Sequence, residues 1–401
     1  MIRLKRVFVI VGALVLLGGG LSSSVLAQGT TLKIGALGPF SGSGAAWGDY
    51  LYQPIKMWAD DVNAAGGIKV GGVTYKFDVV TGDDKWTPSE ALTQTRRMVN
   101  EEKIQFMVGP VTNGTSMAIQ QFCEDNKIVY FSEAVSPNLV PQFKYTFTAY
   151  IGERDIPHLF LVAKYYDPER KTIYSIAPDT SSGHWYHEAF VKTANFMGYK
   201  SVGQDFYAYG ASDFYPLLTK AKESKAQMIF LYAFEGEGVT VAQQARELKM
   251  DVTFLTPLPV SLPLMAKNSS WDTLNGMTVI TYDGTGSGWD AFSKRHAAKF
   301  GVPPQLATCL YSACEAYGQA MKNADSADKE KVMQALRAPN FKVFTKPYGK
   351  EIRFHGQELL GYNTQLGAIV DITGVRNGKS TKFPKATETE AWDITLKAFK
   401  K

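Results

Sequence analysis

From residue 30 onward, short apolar runs alternate with longer stretches in which apolar residues recur every three or four positions. Residues 32–37 form a run of buried-strand length that stops at Gly38-Pro39. Residues 47–64 carry Leu51, Ile55, Trp58, Ala59 and Val62 at helical spacing, and Gly66-Gly67 ends that stretch. Strand-length runs recur at 73–80, 104–108, 128–131, 172–177, 228–234, 252–256 and 277–282. Between them the spacing predicts helices over 90–102, 115–126, 185–197, 214–221 and 239–250. Helical spacing continues at 290–300, 305–323 and 328–337. After Phe341 the pattern turns to strands at 351–354 and 365–371, with turn signals at Thr373-Gly374 and Asn377-Gly378. Strands separated by single helices are the signature of parallel sheets with helices on both faces. In such sheets ligands bind beyond the carboxyl ends of the strands. That singles out the loops at 38–48, 82–88, 110–115, 132–138, 179–185, 233–238 and 257–262.

The first thirty residues follow another pattern. Arg3, Lys5 and Arg6 precede an apolar run over 7–17, and 22–27 is small and mildly polar, ending Val25-Leu26-Ala27. This is the form of a secretory signal with its cut after Ala27. The run is too short for the ~20 apolar residues of a spanning helix. No cysteine stands near the cut, so no lipid anchor is expected there. The expected mature chain is 28–401, in the periplasm. Losing three basic residues and no acids takes the formal charge from +5 to +2.

So small a charge on 401 residues gives no nucleic-acid footprint. A composition of 45% hydrophobic residues excludes a mostly disordered chain, and the length suits two or three domains. The three cysteines, Cys123, Cys309 and Cys314, exclude a disulfide scaffold.

Catalytic signatures are largely missing. There is no Gly-x-Ser-x-Gly elbow and no phosphate loop. The stretch Gly42-Ser43-Gly44-Ala45-Ala46-Trp47 begins like a dinucleotide fingerprint but has Trp47 where the third glycine belongs. His184 and His187 could share a helix face, yet a metal would need a third ligand that the spacing does not offer. Asp83-Asp84 reads as a solvated loop or a contact to a polar ligand. No enzyme activity, cofactor or metal is expected.

Several segments, taken in order, resemble a known family. They are 32–41 (Leu-Lys-Ile-Gly-Ala-Leu-Gly-Pro-Phe-Ser), Trp47-Gly48-Asp49, 61–68 (Asp-Val-Asn-Ala-Ala-Gly-Gly-Ile), Met107-Val108-Gly109-Pro110, 131–137 (Phe-Ser-Glu-Ala-Val-Ser-Pro) and Gln243-Gln244-Ala245-Arg246. Together they resemble the leucine/isoleucine/valine-binding proteins of bacterial ABC importers over nearly all of 30–370. The resemblance implies an α/β fold of two doubly wound lobes with a hinge of three crossovers. Lobe 1 would hold 30–150 and 284–345, and lobe 2 would hold 151–283 and 346–401. It also implies a monomer that closes on a small-molecule ligand by hinge motion and is read by a membrane permease.

The resemblance carries a ligand site with it. In lobe 1 a ligand carboxylate would meet the loop at Thr112 and Asn113, which runs into a helix N-terminus, and the loop Ala134, Val135 and Ser136. Trp47 falls where an aromatic wall is common. In lobe 2, Ser182, Phe234, Glu235 and Leu258 fall at ligand-facing positions. Two departures stand out. Ser182 occupies a place often held by an aromatic residue. Leu258 occupies about the place of a glutamate that pairs with a ligand ammonium, and a buried ammonium without a partner is costly. Glu133, Glu235 or Glu237 could take over that pairing. The ligand is therefore an amino acid or related small carboxylate, with an aromatic acid, amide or urea as the alternative, and a periplasmic sensor as the alternative role.

Overall fold

The computed structural model describes residues 29–134, 142–149, 152–281, 287–304, 307–367, 369–383 and 388–399. The first sheet begins with β1 (Thr30–Gly38), whose register partners are β3 (Val73–Asp83) on one side and β4 (Phe106–Val108) on the other, both parallel. Short β2 (Ile68–Val70) caps the β3 edge. On the other side follow β5 (Val129–Ser132) and β6 (Thr146–Thr148), again parallel. Helices α1 (Ala45–Ala64), α2 (Pro88–Asn100) and α3 (Asn113–Asp125) connect these strands. Local chemistry starts α2: Thr87 caps the Glu90 N–H, Pro88 sits in the first turn, and Glu90 favours the helix dipole.

The second sheet takes over after α4 (Gly152–Tyr166). Its parallel strands are β7 (Thr172–Pro178), β8 (Lys200–Tyr207), β9 (Met228–Leu231), β10 (Thr253–Thr256) and β11 (Met277–Thr281). Between them lie α5 (Ser181–Phe196), α6 (Tyr215–Glu223), α7 (Glu235–Glu247) and α8 (Leu262–Lys267). The chain then returns through α9 (Ser287–Phe300), α10 (Ala307–Ala324) and α11 (Lys329–Arg337) to the first sheet. There β12 (Lys342–Thr345) pairs antiparallel with β13 (Lys350–His355). After α12 (Gln357–Leu360), β14 (Gln365–Leu366) joins β13 to β6. The chain ends with β15 (Asp371–Arg376) and β16 (Lys379–Lys382) on the second sheet, and with α13 (Glu388–Phe399) packed on α4 and α5.

The strand orders are β12-β13-β14-β6-β5-β4-β1-β3-β2 and β16-β15-β11-β10-β9-β7-β8. The chain passes between the sheets three times, as expected of a three-crossover hinge. The third passage differs from the expected border at 345/346. Strands β13 and β14 belong to the first sheet, so the passage falls between Leu366 and Asp371. The cause is packing: Phe354 of β13 turns inward against Phe131 and Phe147, at 5.9 and 5.6 Å between ring centroids. The single strand read over 365–371 is in fact two strands in different sheets. Each lobe has its own aromatic core. Tyr317 of α10 donates to the Met107 and Val129 carbonyls beneath the first sheet, and Phe160, Phe190 and Phe230 stack in the second.

Candidate ligand-binding cleft

The strand order reverses at β1 in the first sheet, with β3 and β4 on opposite sides, and at β7 in the second, with β8 and β9 on opposite sides. Loops that follow strands at such a switch point diverge and leave a crevice. Here four of them face one another. The loop after β1 leads to Trp47, that after β4 to α3, that after β7 to α5 and that after β9 to α7.

Two helix N-termini meet across the crevice. Thr112 caps α3: its Oγ1 accepts the Thr115 N–H at 3.2 Å, and its own N–H donates to Thr115 Oγ1 at 3.3 Å. Thr180 caps α5, its hydroxyl accepting the Gly183 N–H at 3.1 Å. The first N–H of α3, on Asn113, donates to Ser182 Oγ of α5 at 3.5 Å. Both positive dipole ends thus point into the same space, which favours an anion. The turn from β7 into α5 needs Gly183. A Cβ there would lie 1.9 Å from the Pro178 carbonyl oxygen.

Aromatic rings form the walls. Trp47 meets Phe234 edge-on at 4.9 Å between centroids. Trp86, from the loop after β3, stacks on Phe234 at 5.6 Å and 17° and on Tyr209 at 6.1 Å and 22°. Trp86 and Trp47 come from the first lobe, Phe234 and Tyr209 from the second. Two acids set the Trp86 loop. Lys85 and Trp86 both have left-handed backbones, at φ 47° and 59°, a conformation side chains rarely adopt. Asp83 Oδ1 accepts the Phe40 and Lys85 N–H groups at 2.9 and 3.1 Å, and Asp84 Oδ1 accepts the Trp86 N–H at 2.9 Å. Burial pushes the Asp84 carboxyl up to about 6. The Trp86 Nε1–H is buried with no acceptor among the described residues.

The other expected site residues fall as follows. Ala134 is buried and its N–H donates to Ser132 Oγ at 3.0 Å. Val135 and Ser136 lie outside the described residues. Leu258 is part of the apolar core around the second sheet. Glu235 sits at the start of α7, where its Oε1 accepts the Ser261 N–H at 3.2 Å. Glu237 accepts from Tyr207 Oη at 3.0 Å, the Gly210 N–H at 2.9 Å and the Phe234 N–H at 3.4 Å. Glu237 therefore holds the loops that carry Phe234 and Tyr209, and Glu235 ties the start of α7 to the loop before α8. Glu133, at the end of β5, is buried, and burial pushes its carboxyl up to about 8. Sequence reasoning missed Trp86 and Tyr209 as wall residues. The signal for Trp86 was the Asp83-Asp84 pair, one residue removed from it across Lys85. His184 pairs with Asp179 at 2.8 Å on the exposed side of α5.

Two lobes hinged by three crossovers, with facing helix N-termini and aromatic walls at their switch points, define a two-lobed α/β binding protein. Comparison with known families agrees: the family described as periplasmic binding protein matches over residues 31–362. The chain belongs to the periplasmic binding protein family. It is 26% identical over 361 residues to the leucine-, isoleucine-, valine-, threonine- and alanine-binding protein of Pseudomonas aeruginosa, covering 86% of this chain and 91% of that one. Among solved structures it resembles the branched-chain amino acid transporter substrate binding protein LivJ from Streptococcus pneumoniae in complex with isoleucine. That likeness has a TM-score of 0.72 at 19% identity and covers 88% and 99% of the two chains. It equally resembles an ABC-transporter solute binding protein from R. palustris in complex with benzoate, with a TM-score of 0.72 at 17% identity over 88% and 95%. No helix among the described residues is long and apolar enough to cross a membrane.

Proposed function

We propose that this chain is the solute-binding subunit of an ABC importer. It captures a small carboxylate between its lobes and presents the closed form to a membrane permease. The carrying observation is the facing pair of helix N-termini at Asn113 and Ser182, roofed by aromatic rings from both lobes. The helix ends favour the carboxylate, and Trp47, Trp86, Phe234 and Tyr209 favour an apolar tail. The subunit binds without chemistry, acts as a monomer, and works in the periplasm after cleavage behind Ala27. Trp47, Thr112, Asn113, Ser182 and Phe234, with the loop at 134–136, form the contact set.

Relatives that bind branched-chain amino acids support an amino-acid ligand. A specific observation favours the second reading, an aromatic carboxylate. The Trp86–Phe234–Tyr209 stack offers flat faces, and Leu258 stands where an ammonium partner was expected. A thermal-shift panel on residues 28–401, unfolded and refolded to strip bound ligand, tests both. It contains the twenty amino acids, benzoate and hydroxybenzoates, short aliphatic acids, and amides including urea. Ligand at a thousand times its Kd adds about 4 kcal/mol, or roughly 8–16 °C for a chain of this size. A shift with no carboxylate in the panel sinks the proposal.

A further inference from the structure

A second cavity, of about 310 Å³, lies away from the cleft. Its walls come from both lobes: Arg154 on the first turn of α4, Lys342 on β12, Lys350 and Arg353 on β13, and Trp392 on α13. Four of its lining residues are cations, against one carboxylate, Glu351, which lies 3.9 Å from Lys342 Nζ. Arg154 is 2% exposed. Its Nε and Nη2 have no hydrogen-bond partner among the described residues, and Nη2 keeps only a 3.6 Å ion pair with Asp155. A buried guanidinium with open donors is costly, and its fork matches an oxyanion. We propose that this hinge cavity is a binding site for a small oxyanion, held by Arg154 with Arg353 and the β12–β13 lysines.

His355 reports on the site. It lines the cavity, and its ring meets Trp392 edge-on at 5.0 Å. Burial, then the charges of Arg154 and Arg353, push its imidazole down to about 3. The neighbouring acid Glu153, held up at about 7 by burial, accepts from Gln365 at 3.1 Å. A bound anion offsets the two arginines and raises the His355 midpoint. Because β13 belongs to one lobe and α4 to the other, occupancy also joins the two halves of the hinge. The inference is independent of what the cleft binds.

Sulfate is the first probe, since it keeps its double charge at the low pH where His355 titrates. The protein is the refolded 28–401 chain at constant ionic strength in chloride. The imidazole signals are followed by NMR, with His355→Gln assigning the resonance. The expected result is saturable binding of one sulfate, a His355 midpoint raised by at least half a pH unit, and affinity about tenfold weaker in Arg154→Met. Arg353→Met, an exposed substitution that the fold tolerates, is expected to weaken sulfate as well. In competition against sulfate at pH 6, where acetate is ionised, phosphate competing better than acetate marks a tetrahedral oxyanion, and acetate competing better marks a carboxylate group; either supports the site. A His355 midpoint unmoved by saturating sulfate overturns the proposal, as does sulfate binding in both variants as tight as in the wild type.

Discussion

Trp86 and Phe234 come from opposite lobes, so their contact exists only when the lobes are closed. Substituting either with alanine should act on closure and leave the stability of the open, ligand-free protein almost untouched. Trp86 makes two stacked contacts, with Phe234 at 5.6 Å and Tyr209 at 6.1 Å. Each such pair contributes about 0.5–1.5 kcal/mol beyond area burial. Losing both removes about 1–3 kcal/mol from the closed state, a factor of about 5–150 in closing and hence in apparent affinity. The assay is calorimetric Kd for the tightest ligand from the panel, with urea melts of the stripped protein alongside. A double-mutant cycle of Trp86→Ala and Phe234→Ala separates ring–ring contact from ring–ligand contact. The expected coupling is about 0.5–1.5 kcal/mol in binding and none in the melts. A Kd within twofold of wild type for Trp86→Ala refutes the reasoning. So does a loss of ligand-free stability as large as the loss in binding, which would make Trp86 a core residue of one lobe.

Ser182→Ala removes the hydroxyl that accepts the Asn113 N–H and should weaken ligand two- to tenfold, about 0.5–1.5 kcal/mol, with the ligand-free melting temperature within 1 °C of wild type. Gly183→Ala drives a Cβ into the Pro178 carbonyl and should cost about 2–4 kcal/mol in urea unfolding, a loss that Gly236→Ala, with open space around it, does not show. Glu133, with its carboxyl raised from 4.5 to about 8, stabilises the fold fully below pH 4.5 and progressively less as the pH rises to 8. Glu133→Gln should therefore flatten the pH dependence of unfolding by about 1.4 kcal/mol per pH unit across that window; denaturant melts at pH 5, 6, 7 and 8 read the slope, and an unchanged slope shows that Glu133 does not titrate there.

Much of this architecture was legible because parallel strands buried on both faces appear as unbroken apolar runs. Helix α4 was not. Nearly every residue of its first three turns is buried and Pro157 sits inside it, so no polar stripe marked its period. Strand β8 was not, because it is a half-exposed edge strand with polar residues along its length. Swapping β13 and β14 between lobes was an error of tertiary pairing. What ties them to the first sheet is the parallel pairing of β14 with β6, Gln365 opposite Thr148, and partners so far apart in sequence leave no local trace. At the site, the start of α3 was readable from Thr112, whereas α5, expected from residue 185, begins at Ser181 with Thr180 as its cap. The Trp86 wall was not readable, since its left-handed turn depends on Asp83 and Asp84 accepting particular N–H groups. The duties of Glu235 and Glu237 were equally hidden, because both are spent on loop amides and a tyrosine hydroxyl from elsewhere in the lobe.

Those two engagements bear on the ligand. The anionic end of a zwitterion finds two helix N-termini already in place, whereas its cationic end finds no carboxylate prepared for it among the three candidate glutamates. Glu237 already accepts hydrogen bonds that hold the aromatic loops, and Glu235 accepts one from the loop before α8. Glu133 is kept in its protonated form near neutral pH by burial. An ammonium could still recruit Glu133, but ionising it at pH 7 costs about 1.4 kcal/mol against a midpoint of about 8, and the proton leaves with binding. Amino-acid affinity should then climb with pH up to about 8 and level off above it. A plain carboxylic acid asks nothing of Glu133, so its affinity stays flat over the same range. The slope of affinity with pH thus separates the two ligand classes by the charge the cleft must create, whatever the shape of the tail.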